Sequence, residues 1–245
     1  MMSTREGEDH ARLRQLVARA FTPRRVESLR PLMRETAHDL LVARSREPRD
    51  DLVSALVAVE EAGDRLSRAE LRALVTVLIF GAQDTTQCQL ACAALTFSRH
   101  PAQWSRLAND PGLVASAAEE VLRFEPAGSG SPRVATEEIE YRGLAIAAGT
   151  IAHPSGPAAN RDPAVYPDPD RFDMTRAHAE PVLTFGGGVH SCLGASLARI
   201  EIQEALGILA QRLPNLATEG TADRRTGSLI RGPQTLPVRF GAGAH

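Results

Sequence analysis

A chain of 245 residues, 43% apolar and 24% charged, can bury a sizeable core as one domain or as one domain with a smaller β appendage. Its net charge of −2, with acidic and basic residues interspersed, argues against nucleic acid or an anionic membrane as the main partner. The N-terminus is charged from Arg5 onward, unlike a signal peptide or membrane anchor, and three cysteines that cannot all pair fit a reducing cytoplasm.

The first half of the chain predicts helices. Residues 10–20, rich in arginine, and 24–44, with apolar residues at helical spacing, are predicted helices, and two more are predicted at about 101–109 and 112–124. Ser67 and Glu70 form a capping box before a long apolar run, which predicts a helix of about 30 residues. Polar residues interrupt that run too often for a membrane span.

The second half predicts short strands and turns before one last helix. The stretch "RVATEEIEYRGLAIAAGTIAH" alternates in polarity and has turn glycines, whereas "NRDPAVYPDPDRFD" reads as an irregular surface segment. We therefore predict a mainly α fold with small β-sheets (α+β). As one domain, it is helical at 10–125 and β or irregular at 126–184, with a cysteine loop and last helix at 185–212 and a β tail at 213–245.

The stretch "FGGGVHSCLG", residues 185–194, places a lone cysteine behind three glycines and a histidine. Glycines let a ligand approach the backbone closely, and the helix that follows points its N-terminal amides at Cys192. That environment favours a thiolate. The alternative is a glycine-rich turn around a buried structural cysteine.

The stretch "GAQDTTQ", residues 81–87, sets polar side chains in the middle of the long apolar helix. Buried polar groups are costly unless they are satisfied, so the stretch lies either at the surface or against a cavity. In a cavity, Asp84 and Thr85 would form a proton relay. At the surface, they would be a solvated helical turn.

Glu120 and Arg123 lie three residues apart on one predicted helix face. Most pairs at this spacing are surface ion pairs worth less than about 1 kcal/mol. Taken alone, this pair has no stronger interpretation.

Together these motifs resemble the haem-thiolate monooxygenases, the cytochrome P-450 family, and in particular its soluble bacterial branch. The cysteine loop matches F-x-x-G-x-H-x-C-x-G at every fixed position, through Phe185, Gly188, His190, Cys192 and Gly194. "EEVLR" fits the family's E-x-x-R, "PDRF" its later arginine motif, "HARLR" an early His-x-x-x-Arg, and "GAQDTT" the acid-alcohol motif, with Ala82 where a glycine is usual.

The resemblance assigns roles to these residues. Cys192 would be the axial ligand of the iron in haem b, with His10, Arg14, Arg133 and His190 as partners of the haem propionates. Asp84 and Thr85 would supply protons during catalysis, and Glu120, Arg123 and Arg171 would form a buried ionic triad. Substrate would contact Ile79, Ala82, Ala127, Leu229 and Ile230.

By the same resemblance, the chain is a cytoplasmic monooxygenase that inserts one oxygen atom of dioxygen into a small organic, secondary-metabolite substrate. Electrons would come from a ferredoxin or a flavin-containing reductase, because the chain has no nicotinamide or flavin motif of its own. No nucleic acid or membrane is expected as a partner.

Two departures from the family pattern accompany the matches. The chain begins at what resembles the third main helix of the family, so the N-terminal β region is expected to be missing. After "FTPRRVESLRPLMRETAHDLL", the helices that roof the active site have no counterpart. We therefore expect an incomplete fold that self-associates or binds a partner subunit over its distal face.

Other functions fit the sequence less well. A non-catalytic or weakly catalytic haem-binding helper that activates a partner enzyme is the main alternative. Zinc held by Cys192, His190 and His178 lacks an accompanying C-x-x-C or H-x-x-x-H pair. A phosphate loop lacks the Gly-Lys-Ser/Thr that would follow the glycines.

Overall fold

The computed structural model describes residues 39–61, 68–177, 180–225 and 229–241. The chain separates into two compact units, residues 1–81 and residues 82–245. The predicted fold class, mainly α with small sheets, is confirmed by the elements of these described ranges. The predicted helix at 10–20, most of the one at 24–44 and the capping residue Ser67 lie outside them.

In the first unit, residues 39–46 are helical and are followed by α1, Leu52–Glu61. Asp51 caps α1, because its carboxylate accepts the Ser54 amide at 2.8 Å. That bond, together with the Arg44 guanidinium, lowers the pKa of Asp51 to about 2. Leu41, Val57 and Val75 form the small apolar core of the described part of this unit.

The long helix α2, Arg68–Arg99, is continuous over 32 residues, close to the predicted length. The polar stretch at 81–87 does not interrupt it, because none of its residues is proline and the backbone bonds of a helix do not depend on side-chain polarity.

The remaining helices are α3 (Pro101–Asn109), α4 (Val114–Phe124), the single turn α5 (Gly156–Ala159) and α6 (Ala195–Arg212). Three of them, α3, α4 and α6, lie near the predicted positions. Proline at the start of α3 suits the first helical turn, where its missing N–H has no partner to lose. α6 packs against both α3 and α4.

Eight short strands pair antiparallel within the described residues. They are β1 (Arg133–Val134), β2 (Ile139–Tyr141), β3 (Leu144–Ile146), β4 (Ile151–Ala152), β5 (Ala217–Thr218), β6 (Asp223–Arg224), β7 (Pro233–Thr235) and β8 (Val238–Arg239). β1 pairs with β4, β2 with β3, β5 with β8 and β6 with β7. The predicted β tail at 213–245 thus contains two strand pairs, β5 with β8 and β6 with β7.

The main core lies between α3, α4 and α6. Ile202, Leu206 and Ala210 recur every four residues along α6, and their side chains are buried in this core. Trp104 of α3 is buried in this core, and its indole N–H donates to the Leu213 carbonyl at 2.9 Å. This core fixes α4 and the start of α6, the two elements that border the cysteine loop.

Candidate active site

The cysteine loop, residues 185–194, leads directly into α6. The Cys192 amide donates to the Phe185 carbonyl at 2.8 Å and so closes the loop on itself. α6 begins at Ala195, three residues further on. Cys192 is exposed, so the alternative of a buried structural cysteine is wrong.

Two loop glycines are explained by backbone conformation. Gly186 and Gly188 have φ of 71° and 70°, a region that L side chains rarely adopt. A Cβ added to Gly188 would meet no atom within 4 Å, and one on Gly186 would meet only the His190 carbonyl, at 3.9 Å. The loop therefore presents bare, open backbone beside the exposed cysteine.

Phe185, the first residue of the loop, is held by Arg199 of α6. The guanidinium carbon of Arg199 lies 4.6 Å from the centroid of the Phe185 ring. Its Nε and Nη2 groups donate to the two carboxylate oxygens of Glu119 in α4, at 2.5 and 3.3 Å. These contacts join the loop to two helices of the main core.

Glu120 and Arg123 form a fully buried pair rather than a surface one. The Nε and Nη2 groups of Arg123 donate to the two oxygens of Glu120, each at 2.8 Å. The other donors of Arg123 bond to the carbonyls of Asn160, Pro169 and Arg171 at 2.8 to 3.1 Å. All five guanidinium N–H groups thus have acceptors. The proline-rich segment, residues 160–173, supplies three of these acceptors and so packs around the buried charge.

The third member of this cluster is Arg176, which corrects the prediction for Arg171. Arg176 Nε lies 3.3 Å from Glu120 Oε2, and its side chain is 11% exposed. The side chain of Arg171 is 66% exposed and lies 3.4 Å from Asp173. Arg171 contributes only its backbone carbonyl, which accepts from both Arg123 and Arg176. The chain bends at Arg171, so its side chain points away from Arg123 and Arg176, the two residues that donate to its carbonyl.

Asp84 is tied to the C-terminal part of the chain. Arg225 Nη1 donates to both oxygens of the Asp84 carboxylate, at 2.9 and 3.0 Å, and both side chains are partly exposed. Thr85 is exposed on the same helix. Asp84 and Thr85 therefore lie at an accessible turn of α2. Asp84 is bonded to Arg225, which is 141 residues further along the chain.

The predicted substrate contacts separate into two groups. Ala82 and Leu229 are exposed, whereas Ala127 is buried and Ile230 packs beside it against Cys88 and Cys92. For Ala127 and Ile230 the prediction of an open, substrate-facing surface is not met in this structure, because α2 covers them. The fifth predicted contact, Ile79, lies in α2, and its side chain is outside the description.

The buried thiols behind this surface are hydrogen-bonded and protonated. Cys88 and Cys92 donate to the Arg231 carbonyl at 3.3 and 3.5 Å. A Cβ on Gly232 would lie 2.3 Å from the sulfur of Cys88, so only glycine allows this close approach. Burial raises the pKa of both thiols, that of Cys92 to about 12.

The predicted propionate partners are described only in part. His10 and Arg14 lie outside the described residues. His190 is exposed in the cysteine loop, and Arg133 is exposed at the start of β1. Arg133 Nη1 bonds only to nearby carbonyls, at 3.1 Å from Pro132 and 3.4 Å from Ser131.

Sequence reasoning missed three arginines that join distant parts of this site: Arg176, Arg199 and Arg225. Their contacts span 56, 80 and 141 residues. Arg176 had one local signal, because it follows the "PDRF" motif by four residues. The other two had none.

The sequence profile of the cytochrome P-450 family matches residues 41–226. The chain is 42% identical over 243 residues to nocardicin C N-oxygenase from Nocardia uniformis subsp. tsuyamanensis, with 95% of this chain and 61% of that protein covered. The solved structure of the ligand-free P-450 monooxygenase TamI superposes with a TM-score of 0.84 at 32% identity, with 98% of this chain and 60% of that chain covered. The chain belongs to the cytochrome P-450 family.

Another relative bears on the length of the chain. Mycinamicin IV hydroxylase/epoxidase from Micromonospora griseorubida is 35% identical over 307 positions, which cover 94% of this chain and 77% of that protein. That alignment is longer than the 245 residues of the chain, so parts of the relative have no counterpart within the matched region. This agrees with the predicted internal gap, and the chain spans 61% of the nocardicin relative.

Membership of the family implies a haem-iron cofactor, and the described residues fit one. Cys192 offers a soft sulfur ligand at an exposed position, and the glycines beside it leave room for a flat group. Leu193, next to the cysteine, is 83% exposed and offers apolar contact. No three His, Cys, Asp or Glu side chains in the described ranges gather as metal ligands.

Two other expectations concern metals and membranes. The zinc alternative rested partly on His178, which lies outside the described residues. No helix in the described part of the chain is long and apolar enough to cross a bilayer.

Proposed function

We propose that this chain is a haem-thiolate monooxygenase that inserts one oxygen atom of dioxygen into a small organic substrate of secondary metabolism. The observation that carries the proposal is the exposed Cys192, held in a complete signature loop at the start of an 18-residue helix. The cofactor would be haem b, held by the Cys192 sulfur, and when bound it would supply the redox chemistry of dioxygen activation.

The residues around Cys192 bind and orient the cofactor. The N-terminal amides of α6 stabilise the negative charge of the thiolate. The bare backbone at Gly186 and Gly188 would permit close approach of the macrocycle, and the exposed side chains of His190 and Arg133 would bind its carboxylates. His10 and Arg14 belong to the same proposed set of propionate partners.

Asp84 and Thr85 deliver protons on the substrate side of the site. Arg225 bonds to both oxygens of the Asp84 carboxylate and so restricts its orientation. Ala82 and Leu229 are exposed and contact substrate, and Ile79 is proposed as a further contact.

Electrons come from a ferredoxin or a flavin-containing reductase. A closed, water-poor pocket protects such chemistry from side reactions, and the internal gap removes residues that relatives place within the matched region. A second copy or a partner subunit is therefore proposed to cover the distal face.

The test is the absorption spectrum of the reconstituted, reduced protein with carbon monoxide. We expect the strongly red-shifted Soret band of a thiolate-bound haem in the wild type and its loss in Cys192→Ser. Cys88→Ser is the matched control, because that thiol is buried away from the loop, and it should keep the band. Absence of haem uptake, or an imidazole-type spectrum in the wild type, would contradict the proposal. A normal band without substrate oxidation, in the presence of a competent reductase, would favour the helper.

A further inference from the structure

We propose that Arg199 is a positioning residue for Cys192, acting through Phe185 with Glu119 as its counter-ion. This assignment rests on the proposed function for its haem-dependent part and on geometry alone for the rest. Arg199 is on α6, seven residues after the cysteine, and is partly buried, with 30% of its side chain exposed. Its guanidinium contacts Phe185 of the loop and Glu119 of α4.

The contacts connect a rigid element to the cysteine in three steps. Glu119 lies in α4, one residue before the buried Glu120, so its backbone is fixed by the main core. Arg199 bonds to both oxygens of Glu119 and places its guanidinium against the face of Phe185. Phe185 in turn accepts the Cys192 amide at 2.8 Å. Movement of Phe185 therefore moves the main chain that carries the sulfur.

Gly186 and Gly188 have no side chains that could restrain the backbone between Phe185 and Cys192. The loop is held by its backbone hydrogen bonds and by the packing of Phe185 against the main core, and Arg199 adds a charged contact to that anchor. A guanidinium suits the task because it bonds to a carboxylate at two points while its planar face stacks on a ring. A lysine ammonium at the same position would keep the charge and lose this fixed geometry.

The first experiment measures amide hydrogen exchange of the haem-free protein. We expect Arg199→Gln to raise the exchange rate of the Cys192 amide roughly tenfold, the order that follows from losing a partly exposed ion pair and a cation–π contact. Glu119→Gln should act in the same direction with a smaller effect. Amides within α4 and in the second half of α6 should keep their rates.

Arg212→Gln is the matched control, because Arg212 is an exposed arginine in the last turn of the same helix. An unchanged Cys192 amide in Arg199→Gln would overturn the proposal. Equal acceleration in Arg212→Gln, or acceleration spread over α4 and α6, would also overturn it, since the effect would then be general destabilisation.

The second experiment uses the haem-loaded, reduced protein with carbon monoxide. We expect Arg199→Gln to convert a large share of the thiolate-type Soret band to the blue-shifted band of a lost or protonated thiolate, and Arg199→Lys to restore only part of it. An unchanged band in Arg199→Gln would overturn the haem-dependent part. A wild type without any thiolate band would refute the proposed function instead, and the exchange result on the haem-free protein would still decide the role of Arg199 in holding the loop.

Discussion

Arg176 lies 3.3 Å from Glu120 across 56 residues and completes a cluster in which one buried carboxylate faces two guanidinium groups. Glu120 also accepts the Asp173 amide at 2.8 Å, so the carboxylate organises the backbone of the segment as well as its charges. The irregular, proline-rich stretch after Asn160 thereby gains a fixed path without regular secondary structure.

This arrangement predicts different effects for two arginines five residues apart. Arg176→Gln should lower the free energy of unfolding by about 1–3 kcal/mol, because it removes one of the two guanidinium groups that face the buried Glu120 carboxylate. Arg171→Gln should lower it by less than about 1 kcal/mol, because that side chain is mostly exposed and only its carbonyl is used. Urea unfolding of both variants measures the difference. Equal losses would mean that Arg171 contributes through its side chain after all.

Arg123 should be the more sensitive member of the cluster. Arg123→Ala leaves Glu120 as a buried charge with fewer partners and should cost about 3–5 kcal/mol, so that the variant is insoluble or fails to bind haem. Arg123→Lys keeps a positive charge but cannot supply five donors, and we expect it to recover only part of that loss. Solubility, urea unfolding and haem content provide the measurements. A soluble, haem-loaded Arg123→Ala with a small loss of stability would refute the structural role.

The three cysteines should differ sharply in reactivity. Iodoacetamide at mildly alkaline pH should modify Cys192 in the native, haem-free protein and spare Cys88 and Cys92, which are buried with raised pKa values. Peptide mass spectrometry identifies the modified residue. Modification of Cys92 as fast as Cys192 would show that α2 opens readily at this point.

Cys92 also predicts a pH dependence of stability. Its pKa rises from 9.0 to about 12 in the folded chain, so between these values the folded state keeps a proton that the unfolded state has lost. The contribution is complete below pH 9 and falls as pH rises toward 12, by at most ~1.4 kcal/mol per pH unit. Cys92→Ser removes the titrating thiol and should flatten this part of the unfolding curve. A slope unchanged by that variant would assign the pH dependence to other groups.

The proposed proton delivery predicts how turnover fails. Thr85→Ala should leave haem binding intact and divert reducing equivalents to hydrogen peroxide, because the proton supply is disturbed while electron supply continues. Peroxide formed per reducing equivalent is the measurement. Thr86→Ala, the adjacent residue with the same chemical change, is the matched control and should stay near the wild-type ratio. Equal ratios in Thr85→Ala and wild type would contradict the relay.

The local features of this chain could be predicted from the sequence alone. The helices α2, α3, α4 and α6 and the spacing of the cysteine loop depend on residues within a few turns of one another. The prediction that Cys192 belongs to a functional site depends on the ten consecutive residues 185–194. Interactions at this range are determined mainly by backbone geometry and side-chain type.

Only the tertiary structure decided which distant groups meet. Nothing in the order of residues distinguishes Arg171 from Arg176 as the partner of Glu120, because the outcome depends on how the proline-rich segment turns around Arg123. The contacts of Arg225 with Asp84 and of Arg199 with Glu119 join groups 141 and 80 residues apart. A long guanidinium side chain can reach many carboxylates, and the packed core selects the one that comes within hydrogen-bonding distance.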